Sequence, residues 1–199
     1  SHAHPHLINQ SFSAFKSDLD QSEALFAEAL GEAPKVFAYP YGEWNKSIAK
    51  ELENRGYLAA LAQNSGVIYK GSPRFHLPRF PMSEAYADMD GFRSKIRMSP
   101  LAVTETQETT SGYKGSQEKP SIDVLFQEAN LQLNQLQCFV QGADCKKSIR
   151  VMKAGDVKLN IRPDRPLKRR RTLFTVTVPD KNGNWHWYSY LYIRKEIEE

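Results

Sequence analysis

Residues 104–121 constrain the fold more than any other stretch, because they contain almost no apolar side chain. They read TETQETTSGYKGSQEKPS, with Tyr113 as the one large ring. A stretch of this composition contributes little to a core and is typical of a linker. We therefore expect two domains, residues 1–103 and residues 122–199, joined by a linker at residues 104–121.

The first domain has the pattern of an α/β fold. Apolar residues recur at helical spacing between Ser11 and Gly31, which predicts an amphipathic helix. The run KVFAYPYG predicts a short buried strand that turns at Pro40. A second helix is expected from a cap at Asn45 to a stop at Gly56, and YLAALA predicts a second strand. Alternating strands and helices indicate a parallel α/β layer or barrel.

The second domain has the pattern of an all-β fold. Several of its short runs alternate between apolar and polar residues, and Asp, Asn, Gly and Pro occupy the gaps between them. The runs are IDVLFQEANLQLNQLQCFV, SIRVM, DVKLNIR, TLFTVTVP and HWYSYLYI. This pattern predicts a small antiparallel β-sandwich.

The charge distribution argues against a nucleic-acid partner. Residues 1–103 hold 11 basic and 11 acidic residues, and residues 104–199 hold 16 and 12, which gives a net charge of +4. This is far from the dense basic face of a nucleic-acid-binding domain. No run approaches the roughly 18 apolar residues of a membrane span, so we also expect no transmembrane segment.

The two cysteines, Cys138 and Cys145, lie seven residues apart around a glycine-containing turn. The spacing is too long for a C-x-x-C metal or redox motif. The pair could lie across a hairpin and form a disulfide in an oxidising compartment. It could equally be two small buried thiols.

Three of the five histidines, His2, His4 and His6, alternate at the start of the sequence. Alternation would place them on one face of a strand, in a geometry that suits zinc. Pro5 lies among them, however, and neighbouring histidines on one face rarely all reach one ion. An exposed terminal stretch is the alternative interpretation.

Three motifs occur in order along the chain: AHPHL at residues 3–7, FAYPYG at residues 37–42 and LPRFPM at residues 77–82. Together they resemble one branch of the polysaccharide deacetylases with a NodB-homology domain. The closing run NGNWHWYSYLYI resembles the end of an accessory β-domain in the same branch. The resemblance implies a partial (β/α) barrel followed by a small antiparallel β-sandwich.

The resemblance also implies a metal centre. The family motif H-[S/T]-x-x-H supplies two histidines to a divalent metal, which we expect to be zinc, although other transition metals are possible. Ser1 then fills the Ser/Thr position and His4 is the second metal histidine. The first histidine would be the residue before Ser1.

Further roles follow from the same resemblance. The backbone N–H of Tyr41 would bind the oxyanion, with Pro40 beside it in the catalytic turn. Ala38 stands where other branches place an arginine, so that role is absent or supplied elsewhere.

Three further sets of residues are candidates for the site or its surroundings. Arg79 either faces the cleft or forms a structural ion pair. His76 does not match the family's L-x-H motif, and we expect a surface histidine. The expected substrate-binding residues are Tyr39, Trp44 and Trp187.

The sequence departs from the family in one important respect, because it contains no adjacent pair of aspartates. The family takes its carboxylate base and one metal ligand from an early T-F-D-D motif. The DMD of residues 88–90 lies late, and we expect it in a solvated loop. We therefore interpret the chain as the C-terminal part of a deacetylase, inactive unless a complementary N-terminal segment is bound. The resemblance implies an N-acetylated or O-acetylated polysaccharide as substrate and a bacterial periplasmic, envelope-associated or secreted location.

Two other classes of function stay open at this point. A metal-free carbohydrate-binding module could hold glycans by stacking on the aromatic residues of NGNWHWYSYLYI. A structural or adhesive protein would bind neither metal nor sugar. An Asp-Asp pair upstream of Ser1 would favour the enzyme over both.

Overall fold

The computed structural model describes residues 1–83, 87–110 and 119–198. The chain forms two compact units. The first unit comprises residues 1–64 and 68–79, and the second comprises residues 65–67 and the chain from Phe80 onward. The predicted domain boundary at residue 103 differs from this division, which falls near residue 80.

The two helices of the first unit confirm the sequence prediction. Helix α1 spans Phe12–Leu30 and helix α2 spans Lys46–Asn54. The Ser11 hydroxyl accepts the N–H of Ala14 at 3.2 Å, and the Asn45 side chain accepts the N–H of Ile48 at 2.9 Å. Each polar side chain therefore satisfies an N–H group that the first helical turn leaves unpaired.

Strands β1, Val36–Ala38, and β2, Ala59–Leu61, form a parallel pair with Val36 opposite Ala59. The helices pack around this pair, and the buried side chains form one core. The core residues are Leu7, Phe15, Leu19, Phe37, Tyr39, Ile48, Leu52, Tyr57, Ala60 and Ala62. Among the described residues the sheet of the first unit has only these two strands, so the predicted partial barrel is not observed here.

The second unit contains helix α3, Met89–Ile96, and two four-stranded sheets. One sheet has the order β3-β10-β9-β6 and the other β4-β5-β8-β7. The strands are β3 (Ser99–Pro100), β4 (Val103–Thr110), β5 (Pro120–Gln127), β6 (Gln137–Val140), β7 (Cys145–Val151), β8 (Asp156–Pro163), β9 (Arg171–Pro179) and β10 (Trp185–Ile193). Buried side chains of both sheets belong to one core. The expectation of an α/β part followed by an all-β part is confirmed.

Two segments expected to lack regular structure are ordered elements. The predicted linker is wrong for β4, whose residues pair antiparallel with β5 from Val103 to Thr110. The part of that linker at residues 111–118 lies outside the described residues. The DMD segment is also not a loop, because Asp88 caps α3 by accepting the N–H of Gly91 at 2.6 Å.

The cysteine pair forms a disulfide between Cys138 on β6 and Cys145 on β7. Strand β6 is at the edge of one sheet and β7 is at the edge of the other. The bond therefore joins the two sheets and does not lie across a hairpin within one sheet.

Among the described residues, no helix combines the length and the apolar character needed to cross a membrane.

The disulfide generates a stability prediction. Replacing Cys138 and Cys145 together with serine should lower the free energy of unfolding of the second unit by about 2 kcal/mol, because the closed loop is short. Urea unfolding followed by the indole signal of Trp185 measures this, and the native chain in reductant should match the double variant. Equal stability of the oxidised native chain and the variant would contradict the prediction.

Candidate functional site

The candidate site is built on the turn that follows β1. The residues Pro40–Gly42 form one short helical turn in which Tyr41 has φ 56° and ψ 7°. The N–H of Gly42 donates to the Tyr39 carbonyl at 2.9 Å, and that of Glu43 donates to the Pro40 carbonyl at 3.1 Å. A left-handed conformation at a bulky residue costs on the order of 1–3 kcal/mol and persists only where the surroundings enforce it.

Two histidines contact the ring of Tyr41. The ring of His6 stacks on it with centroids 4.1 Å apart, and the ring of His4 meets it edge-on at 5.0 Å. His4 also has a positive φ, 50°. The structure therefore brings together the predicted metal ligand and the predicted oxyanion donor, and both have strained backbones.

A buried carboxylate holds the His6 ring. Glu43 is fully buried, and its Oε1 lies 3.0 Å from Nδ1 of His6. A buried carboxylate is stable only when paired and hydrogen-bonded. This contact ties the start of the chain to the residue directly after the turn.

Asp18 on α1 anchors the same segment from the other side. Its carboxylate accepts the N–H of Ala3 at 2.6 Å and that of His2 at 3.1 Å. Burial alone would raise the pKa of Asp18, but the hydrogen bonds from Ala3, Ser1 and His2 together hold it below its ordinary value. The Ser1 hydroxyl accepts the N–H of His4 at 3.1 Å. The hydrogen bonds to Asp18 and to Ser1 therefore order the backbone from His2 to His4.

The expected role of Tyr39 in substrate binding does not agree with its position. Tyr39 is 1% exposed, and its hydroxyl donates to the Phe75 carbonyl at 2.9 Å. Burial raises the pKa of its phenol. Its aromatic, half-apolar side chain is part of the core of the first unit, which removes it from contact with a ligand.

Trp44 and His76 form a tilted ring pair next to Tyr39. Their ring centroids are 4.5 Å apart, and those of Trp44 and Tyr39 are 6.3 Å apart. Burial lowers the pKa of His76 to about 4. The histidine expected at the surface is half-buried, and with this pKa His76 is neutral at pH 7. Trp44 is half-buried.

The remaining predicted site residues have other environments. Pro40 is buried in the turn beside Tyr41. Arg79 is exposed, and its Nε donates to the Ala62 carbonyl at 3.0 Å. Arg79 therefore contacts a backbone carbonyl of the first unit. Trp187 belongs to the second unit, where its Nε1 donates to the Ser65 hydroxyl at 3.0 Å.

The residues present do not fit a complete metal centre. Within the described ranges, no three side chains of His, Cys, Asp or Glu come close enough together to hold an ion. His4 is exposed, whereas the Nδ1 of His6 is engaged by Glu43. The described residues therefore bring together fewer than the three protein ligands of a catalytic zinc.

Sequence reasoning missed Glu43 and Asp18. Glu43 directly follows the FAYPYG motif, and Asp18 lies on the buried face of α1 beside Leu19. A charged residue at a buried position of a predicted helix indicates a contact with another polar group, because a buried charge requires a partner. The partners themselves are 15 to 37 residues away, and local patterns do not reveal them.

Comparison with known proteins finds a family match for the first part of the chain. Residues 1–60 match the family model of polysaccharide deacetylase. This segment, which includes α1, the Tyr41 turn and α2, is therefore similar in sequence to the polysaccharide deacetylases. No curated protein and no solved structure matches the chain.

The buried pair generates a prediction for stability. Glu43→Ala should lower the free energy of unfolding of the first unit by about 1–2 kcal/mol, because it removes the hydrogen-bond partner of the His6 ring and leaves a cavity at a buried position. Glu53→Ala is the matched control, since Glu53 pairs with Lys50 on the surface and its removal should have a much smaller effect. Equal effects of the two substitutions in urea unfolding would contradict the assignment.

The lowered pKa of His76 predicts a pH dependence. The unfolded chain binds the proton near pH 6.5 and the folded chain only near the pKa of about 4. The unfolded state therefore holds more protons in this window, and stability falls as pH falls, by on the order of 2 kcal/mol. His76→Phe should reduce this loss of stability at low pH, whereas His2→Phe should not, because His2 is exposed. Urea unfolding at several pH values, followed by the Trp44 indole signal, measures the free energy of unfolding of each variant. An unchanged pH profile in His76→Phe would refute this account.

Proposed function

We propose that this chain is part of a metal-dependent polysaccharide deacetylase that hydrolyses acetyl groups, N-acetyl groups above all. The observation that carries the proposal is the contact of His4 with Tyr41 inside the segment that matches the family model. Both residues have positive φ, and such strain concentrates at functional sites.

In this proposal the Tyr41 backbone N–H donates a hydrogen bond to the oxygen that becomes negative during hydrolysis. A water oxygen adds to the acetyl carbon, the carbon–nitrogen bond breaks, and the amine leaves with a proton while acetate is released. A donor that is oriented before the substrate arrives is worth about 3 kcal/mol in the transition state. The enforced backbone of Tyr41 suits this role, because its N–H direction is set by the turn.

His4 is the ligand that this chain would contribute to a divalent metal, for which we favour zinc. Such an ion supplies acidity to a bound water and polarises a carbonyl. The other ligands and the carboxylate base would come from polypeptide outside these 199 residues, since the sequence has no adjacent pair of aspartates. We therefore expect the 199-residue chain alone to be inactive.

The surface of the first unit supports a complementary segment of the same protein as partner. A two-stranded sheet is marginally stable by itself, and several large apolar side chains of this unit are exposed. These are Leu25, Phe26, Leu30, Val36 and Leu58, with exposed fractions of 51%, 43%, 70%, 52% and 57%. Additional strands and helices that cover them would bury apolar surface and stabilise the unit.

The disulfide supports a location outside the reducing cytosol. Structural disulfides persist in oxidising compartments, such as the bacterial periplasm and the extracellular space. Cys138 and Cys145 are bonded in the second unit. We accordingly propose a bacterial periplasmic, envelope-associated or secreted enzyme, where a polysaccharide substrate is also accessible.

Acetate release tests the proposed function. The assay compares acetate release by two proteins on oligosaccharides that carry N-acetyl or O-acetyl groups. One protein is the 199-residue chain, and the other is the longest protein encoded by the reading frame that contains it. We expect activity for the long protein only, and His4→Ala should lower its kcat/KM by at least about 100-fold. His2→Ala is the matched control, because His2 is also exposed. Equal effects of the two substitutions, or no acetate release by the long protein, would sink the proposal.

A further inference from the structure

A groove lies on the second unit, on the face of the β10-β9-β6 sheet that points away from the core. Its volume is about 560 Å³, within the range of small-ligand sites. Side chains from all three strands line it, and the C-terminal part of α3 contributes Ser94 and the following loop contributes Met98. All the lining residues belong to the second unit.

The register explains why these side chains share one face. Gln137, Thr177 and Trp187 lie opposite one another in one row across the sheet, and Phe139 lies opposite Thr175 in the next row. Their neighbours along each strand point into the core. Strands β6 and β10 are separated by two strand spacings, so Phe139 and Trp187 are about 10 Å or more apart.

Two aromatic rings of the groove are accessible. Trp185 is 36% exposed and Phe139 is 52% exposed. Flat apolar rings at an open surface offer stacking area at a low entropic cost, because each has only two side-chain torsions.

The third ring, that of Trp187, is held in place. Its Nε1 donates to Ser65 at 3.0 Å, and the Phe80 ring meets it edge-on at 5.3 Å. The Lys95 ammonium lies 4.4 Å from its centroid, a favourable cation–π geometry. The wall of the groove is thus ordered before any ligand arrives, which lowers the cost of binding.

The floor between the rings is polar. Thr175 and Thr177 are 7% and 6% exposed and line the groove together with the amide of Gln137. Hydroxyl and amide groups between aromatic rings can bond to a ligand that is polar at its edges and apolar on its faces. A pyranose ring has this character, since its C–H groups lie on its faces and its hydroxyls lie around its rim.

We propose that this groove binds a polysaccharide chain, with sugar rings on Trp185 and Phe139 and hydroxyl groups on Thr175, Thr177 and Gln137. The site is distinct from the Tyr41 turn, because its residues belong to the other compact unit.

Charge selects among polysaccharides. The lining residues, all of them within the described part of the chain, include no carboxylate, and the Lys95 ammonium lies against Trp187. A positive charge repels the ammonium groups of a deacetylated amino sugar and tolerates a neutral acetamido sugar. The groove therefore favours acetylated polymer over deacetylated polymer. The preference for acetylated polymer matters only if the proposed deacetylase function is correct. Glycan binding in the groove does not depend on that function.

Titration of the ¹⁵N-labelled 199-residue chain tests the site. The probes are hexasaccharides of N-acetylglucosamine with β-1,4 or β-1,6 linkage and their fully deacetylated counterparts. We expect at least one acetylated probe to shift the indole N–H signals of Trp185 and Trp187, and its deacetylated counterpart to bind more weakly. Lys95→Gln should reduce that difference in affinity at least about twofold.

Four variants locate the binding. Trp185→Ala and Phe139→Ala should each weaken it by about fivefold or more, whereas Trp185→Phe should retain most of it because a ring remains. Phe26→Ala is the matched control, since Phe26 is an exposed phenylalanine of the first unit, and its effect should stay below about twofold. The dispersion of the amide spectrum reports whether each variant is folded.

Three outcomes would overturn the proposal. The first is that no probe binds. The second is binding that persists in Trp185→Ala and Phe139→Ala but is lost in His4→Ala. That result would place the sugar at the candidate active site and would not contradict the proposed function. The third is a concentration-dependent dimer abolished by Trp185→Ala, which would make the groove a contact between two copies. Glycan binding in the groove without acetate release by the long protein would instead refute the proposed function alone.

Discussion

The contact between the buried Glu43 carboxylate and His6 is the interaction on which the candidate site depends. It joins the first residues of the chain to the residue that follows the Tyr41 turn, across a separation of 37 residues. The His6 ring then stacks on Tyr41, while Asp18 holds the backbone at His2 and Ala3. The segment that carries His4 is thereby attached at two points, and both attachments use a carboxylate that the fold removes from water.

The two units are stabilised by different means. The first has two short parallel strands and a core of ten buried apolar residues, and it leaves large apolar side chains of α1 exposed. The second has two four-stranded sheets over one core, and a disulfide joins their edge strands. A small core with exposed apolar surface benefits most from additional covering segments.

The local elements could be predicted where the signals are local. Ser11 and Asn45 are caps of the residue type that helix starts prefer, and the helices begin there as expected. Strand β4 was not predictable in this way, because it lies at the edge of its sheet and its Thr, Glu and Gln side chains show no apolar alternation. Pairing with β5 is a tertiary effect that overrides the weak local pattern. Likewise, the family motifs indicated His4 and Tyr41, but the approach of Glu43 to His6 is a property of the folded chain.

Metal content tests the central claim most directly, namely that His4 is this chain's share of a metal centre next to the Tyr41 turn. The measurement is elemental analysis of the longest protein encoded by the reading frame, purified in parallel with its His4→Ala and His2→Ala variants. The account predicts one divalent metal ion per chain in the unaltered protein and in His2→Ala, and its loss in His4→Ala. Retention of the metal by His4→Ala, or its absence from the unaltered protein after incubation with zinc, would contradict the account.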